Sequence, residues 1–206
     1  MENIYFRNIC IPEKEYVEEY EEGDTTILCL DRKEVDGGFI SCIECRVLTT
    51  QKNIDEINIQ CKVWKEQQEK EALAMLKESK LDEIEAYDRS AAVNSFLLNG
   101  ESHWLDFNLR DRVFQGNERL KLMGRTDTTL WLDGMCIELP IEQAQMLIAN
   151  IEAYAKDCYN VTERHKMEVK ALKTYDEVMA YDITAGYPEK IELNISETSV
   201  FPKRNI

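Results

Sequence analysis

The residues best suited to chemistry in this sequence are its seven cysteines, two histidines and forty carboxylates. Cys42-Ile43-Glu44-Cys45 is a CxxC pair, and with Cys10 and Cys29 it could offer four thiolates to zinc. The ligand spacing is irregular, and the turn glycines of a zinc knuckle are missing between Cys42 and Cys45. The pair also falls inside a strand-like segment, where residues three apart point to opposite faces. Buried thiols are the favoured reading, ahead of zinc or redox chemistry. A cysteine or serine nucleophile needs a nearby base. His103 stands beside Trp104, and His165 lies on an apolar stripe, so packing is favoured for both. Carboxylate pairs such as Glu83/Glu85 or Asp111/Glu118 could be offered as a glycosidase pair. Among forty acids such pairs arise by chance. No GxGxxG, Walker loop, GxSxG or HExxH occurs. The expectation is a chain without catalytic residues, metal or cofactor.

Contact chemistry is better represented. Trp104-Leu105-Asp106 and Trp131-Leu132-Asp133 repeat one pattern, and each Trp is either core or an interface anchor. Glu13 to Asp24 is an acidic run interleaved with Tyr16, Val17 and Tyr20. It reads either as a solvated strand surface or as a docking surface for a basic partner. Tyr16, Tyr20, Trp64, Trp104 and Trp131 are the candidate interface residues.

The elements that must carry these residues form an α+β chain. Across 206 residues the net charge is −15, and about two-thirds of that net charge falls before residue 90. Such a chain repels nucleic acid unless its basic residues cluster. No apolar run reaches the ~20 residues of a membrane helix. The first residues lack a signal-peptide pattern, and the odd cysteine count fits free thiols in a reducing compartment. Neither nucleic acid nor membrane is expected as a partner.

Residues 1–50 read as a small antiparallel β unit, with Thr25 to Leu30 as one strand and Gly37-Gly38 as a turn. In the next strand Ile40, Cys42, Glu44 and Arg46 fall on one side, and Phe39, Ile43, Cys45 and Val47 near the other. Residues 51–86 read as a long connecting helix capped by Asn53. Its polar middle, Lys65 to Glu71, suits either a solvated spacer or self-pairing.

Residues 87–195 read as an α+β domain with β-hairpins on a long helix. Val93 to Leu98 and Ser102 to Leu105 flank an Asn-Gly turn, and Asp133-Gly134 makes a second hairpin. Asp106 caps a helix over 107–122, weakened at Gly116. Pro140 opens the helix with the clearest apolar stripe, from Ile141 through Cys158 toward Val169. Thr174 caps a short helix, Lys190 to Ile195 forms a last strand, and 196–206 reads as a tail. Asp82 to Asp88 and Asp176 to Asp182 echo each other, as one helix-exit device used twice.

Ala86-Tyr87-Asp88, Val93 to Phe96, Asn99-Gly100, Trp104-Leu105-Asp106 and Thr128 to Leu132 occur in order. Leu139-Pro140, Cys158 to Lys166 and Ala180 to Lys190 follow. Through these residues the stretch 80–195 resembles an uncharacterised C-terminal domain of phage and prophage tail-region proteins from gut bacteria. Phe107 to Leu109 stand where that family usually has a lysine and a threonine before the arginine. The resemblance implies variable N-terminal regions and a phage context, and it supplies no catalytic residue.

The expected function is a non-enzymatic tail-region protein, either a virion component or a tail-fibre accessory, acting through protein contacts. Its partners would be other phage structural proteins or a second copy of itself. It would occupy the host cytoplasm during assembly and then the virion. The alternatives are a non-virion assembly chaperone or binder of a host protein, and a glycan-directed enzyme.

Overall fold

Alternation of apolar and polar residues generates the first sheet. A computed structural model describes residues 4–195 and the backbone at 200–201. Four strands, β1 (Tyr5–Pro12), β2 (Glu19–Glu22), β3 (Thr25–Val35) and β4 (Phe39–Leu48), form an antiparallel sheet in the order β1-β4-β3-β2. A single 3-10 turn, Glu13–Glu15, follows β1. Both faces of β4 are buried along most of its length, as expected of an inner strand. Leu28, Cys45 and Val47 pack on one face with Ile57. Cys29, Ile40 and Cys42 pack on the other. Cys42 and Cys45 therefore point to opposite faces, as their spacing predicts. Burial pushes the Cys42 thiol up to about 12 and the Cys45 thiol up to about 11. Burial thus disfavours the thiolate form of both. All seven cysteines are free.

Ile57 belongs to α1 (Ile54–Asp88), one continuous helix of 35 residues. Asn53 caps it, accepting from the Glu56 amide at 3.3 Å. Within its polar middle, every residue from Glu66 to Glu71 is exposed. No described helix is long and apolar enough to cross a membrane. The chain divides into two compact units, 1–73 and 74–206, with the boundary inside α1.

In the second unit two short strands, β5 (Phe96–Leu98) and β6 (Glu101–His103), make the Asn-Gly hairpin. Then come α2 (Phe107–Leu122), the hairpin β7 (Asp127–Leu132) and β8 (Met135–Pro140), and α3 (Ile141–Ala171). Asn99-Gly100 and Asp133-Gly134 all have positive φ, the backbone their hairpin turns require. The α3 stripe is buried from Ile141 through Val169. Leu147, Ile148 and Ile151 meet Phe96, Leu130 and Ile137 in the main core. Asp106 caps α2, accepting from Leu109 at 2.8 Å, and α2 runs through Gly116 unbroken. Thr174 and Glu177 form a capping box on α4 (Tyr175–Met179).

Three expectations are corrected. The strand expected from Val93 starts at Phe96. Ser90 holds the preceding residues in a turn, with its carbonyl accepting from Val93 and Asn94 and its hydroxyl from Ala92. The last strand shrinks to β9 (Glu192–Leu193), which runs parallel to β5. The expected tail contributes a strand: β10 (Val200–Phe201) pairs antiparallel with β8. The rest of 196–206 lies outside the described residues.

Ile151 is fully buried at the centre of the main core. Ile151→Ala should therefore cost about 2–5 kcal/mol in urea unfolding. Truncating the exposed Met146 on the same helix should change stability little.

Candidate protein-binding surface

The first sheet presents its chemistry on the face that α1 does not cover. Because Glu44 shares parity with Ile40 and Cys42, β4 turns a carboxylate toward an apolar layer. A charge placed there needs cations. Arg7 lies directly opposite on β1 and donates both Nε and Nη2 to the two Glu44 oxygens, at 2.8 and 2.9 Å. Arg46 Nε donates to Oε1 at 2.7 Å, and its Nη1 reaches Glu22 at 3.4 Å. The Glu44 side chain is 5% exposed. Burial pushes its carboxyl up, and the bonds from Arg7 and Arg46 together outweigh that and hold it below the ordinary range.

Two tyrosines flank this clamp. Tyr5 lies opposite Arg46 on β1 and is 59% exposed. Tyr20 lies opposite Ile27 on β2 and is 42% exposed. Both guanidinium groups are oriented by Glu44 and remain partly open to solvent. The arrangement presents two positioned arginines and two tyrosines, the residue types enriched at protein interfaces.

Of the aromatic residues expected at an interface, Tyr20 belongs to this surface. Tyr16 is half-buried on the Cys29, Ile40 and Cys42 cluster, with the Arg32 guanidinium 5.4 Å from its ring centre. Trp64 is half-buried on the opposite face, 5.9 Å from Phe6. It lines a cleft of about 200 Å³ with Asn8, Ser41 and Gln68. Beside that cleft Asp31 sits at a β-bulge with φ 54° and accepts from Lys65 at 2.8 Å. In the second unit Trp104 packs against two core clusters and is covered by Arg110, 5.3 Å from its ring. Arg110 is itself fixed by Glu152 at 2.6 Å. Trp104 is therefore partly buried against the core. Trp131 is 63% exposed, since Leu130 and Leu132 take the inward positions of β7.

Both histidines are buried. His103 Nδ1 lies 2.6 Å from Asp133, and its Nε2 has no hydrogen-bond partner among the described residues. His165 Nδ1 meets the Tyr181 hydroxyl at 2.7 Å, and its Nε2 donates to the Ala185 carbonyl at 2.8 Å. Among the described residues no serine, threonine or cysteine side chain hydrogen-bonds to either ring.

The His165 cluster brings together Tyr87, Asp88, Thr162, Tyr181 and Tyr187. The Tyr87 and Tyr187 rings meet edge to face at 5.4 Å, and Tyr187 stacks on His165. Thr162 donates to Asp88 at 2.6 Å and lies 2.8 Å from the Tyr187 hydroxyl. The two echoed segments therefore end on one stretch of α3. Their aspartates differ in role: Asp182 caps the following turn through Thr184, whereas Asp88 bonds across to Thr162. Among the described residues no group of three or more His, Cys, Asp or Glu side chains is placed to hold a metal ion.

The sequence does not single out the clamp as an interface. Its one signal is a glutamate at an inward position of an alternating strand. That signal implies a cation nearby but cannot name Arg7, 37 residues away. Comparison with family models finds no match, and comparisons with curated proteins and with solved structures find no significant match either.

Glu44 gives the first unit a defined pH response. A carboxyl held below its ordinary value adds stability that is complete above about pH 4.3 and is lost as pH falls through the folded value. Glu44→Gln should weaken urea resistance at neutral pH by about 1.5–3 kcal/mol and flatten that acid limb. An acid limb unchanged in Glu44→Gln would assign the response to other carboxylates.

Proposed function

We propose that this chain is a non-enzymatic phage tail-region protein that works by protein–protein contact, with the Glu44 clamp face as its contact surface. The phage context rests on the quoted resemblance over residues 80–195. The contact surface rests on one observation: a buried carboxylate holds Arg7 and Arg46 in place between the exposed Tyr5 and Tyr20. Orienting these side chains before binding lowers the ordering cost of association. Several of the residues that carry the resemblance bond to one another, around His165, Thr162 and Tyr187. That suits a structural head better than a reactive centre. The partners would be other phage structural proteins, in assembly intermediates or in the virion tail.

A second reading, a non-virion chaperone or binder of a host protein, draws on β2. Glu19, Glu21 and Glu22 are all exposed there and could meet a basic partner surface.

Mass spectrometry of purified particles and assembly intermediates should find the chain. Tyr20→Ala should weaken its association with the co-purifying structural protein by ~30-fold or more without changing its thermal unfolding. Absence from both particles and intermediates would remove the tail-region reading. Unchanged binding by Tyr20→Ala would move the contact away from this face.

A further inference from the structure

The two edges of the first sheet are built differently. A sheet edge presents unpaired N–H and C=O groups and is a template for another strand. At one edge β2 has the sequence Glu-Tyr-Glu-Glu, with every residue exposed. Glu19 and Glu22 are met by Lys52 and Arg46, but three carboxylates over four residues still outnumber the cations and disfavour a like strand. At the other edge β1 reads Tyr-Phe-Arg-Asn-Ile-Cys-Ile-Pro, with no carboxylate and one cation. That cation, Arg7, is bound to Glu44.

The β1 edge is also long and regular. All eight residues pair in register with β4, from Tyr5 with Arg46 to Pro12 with Phe39, with no bulge. In an antiparallel ladder every second residue turns its backbone groups away from the partner strand. Among the described residues nothing pairs with that outer side, and none of its backbone groups bonds elsewhere. Among the described residues the devices that usually blunt an edge, such as lysines, bulges and a covering loop, are missing from it, and its one proline stands at the last position.

We infer that β1 is the site of strand addition by a second copy of this chain, pairing β1 with β1 antiparallel about a two-fold axis. The inference rests on the reading of the first unit as the contact module. A two-fold interface requires one patch to be complementary to itself, and β1 meets that requirement. An axis through Asn8 sets Tyr5 across from Ile11 and Phe6 across from Cys10. Arg7 then lies across from Ile9, so no pair joins like charges. Tyr5 with Ile11 and Phe6 with Cys10 are aromatic–apolar pairs of the kind that stabilise sheets. The opposite edge cannot do this, because any β2–β2 pairing places glutamates near glutamates. The joined sheet would have eight strands, with the two Glu44 clamp faces continuous across the axis. A partner with repeated sites would then meet two linked surfaces.

The oligomeric state of the full chain tests this. Sedimentation velocity and native mass spectrometry at micromolar and higher concentrations should give twice the chain mass. Asn8→Lys places two lysines across the axis, and Cys10→Lys puts a charge at an exposed edge position. Each should raise the dimer dissociation constant by ~tenfold or more, with the circular dichroism spectrum unchanged. Hydrogen exchange of the outward β1 amides should slow as wild-type concentration rises. A chain that stays monomeric across the range would overturn the inference and leave the edge to a strand from another protein. An oligomer insensitive to both substitutions would overturn it too. Neither result touches the tail-region reading, which the particle analysis decides separately.

Discussion

A four-stranded sheet has two faces, and the first unit has one helix to cover them. The first turns of α1 seal one face through Ile57, over Leu28, Cys45 and Val47. The other face is closed in two ways. At one end Tyr16 folds over Cys29, Ile40 and Cys42. At the other the sheet carries its own ion cluster, in which Glu44 is satisfied by two arginines. An unpaired carboxylate at that depth would be strongly unfavourable. Arg7 and Arg46 therefore cannot leave without leaving Glu44 stranded, and this fixes the surface residues around them. The exposed chemistry of the first unit is a consequence of how its sheet is closed.

The second unit applies the opposite logic. Its longest helix, α3, buries one stripe over its whole length, and the stripe changes character partway along. The first half is aliphatic and builds the main core with the two hairpins. The second half mixes Val161 and Val169 with polar and aromatic residues. Thr162 and His165 tie α3 to Asp88, Tyr181 and Tyr187, and Ala185 supplies a backbone acceptor. A buried network of this kind specifies one arrangement of its segments when every member has a partner. Segments far apart in the chain are thereby held on one helix face. In this half of α3 polar bonds take the place of part of an aliphatic core.

Sequence alone is enough for the α+β class, the alternation of β4, the caps at Asn53, Asp106 and Thr174, both hairpin turns and the α3 stripe. All of these are local: a repeat period, a turn pair or a capping side chain acts within a few residues. The remaining features depend on pairing over distance. The parallel pairing of β9 with β5 joins residues more than ninety positions apart and leaves no local pattern. The same holds for β10 on β8, since two residues are too few to show a period. Trp104 and Trp131 share the sequence Trp-Leu-Asp, yet one is enclosed by Arg110 and the other faces solvent. Their fates differ because burial depends on what lies opposite. The Glu44 clamp sits between these cases. Alternation places a glutamate on an inward position, and only strand order brings Arg7 across from it, because register is set by the pairing of distant segments.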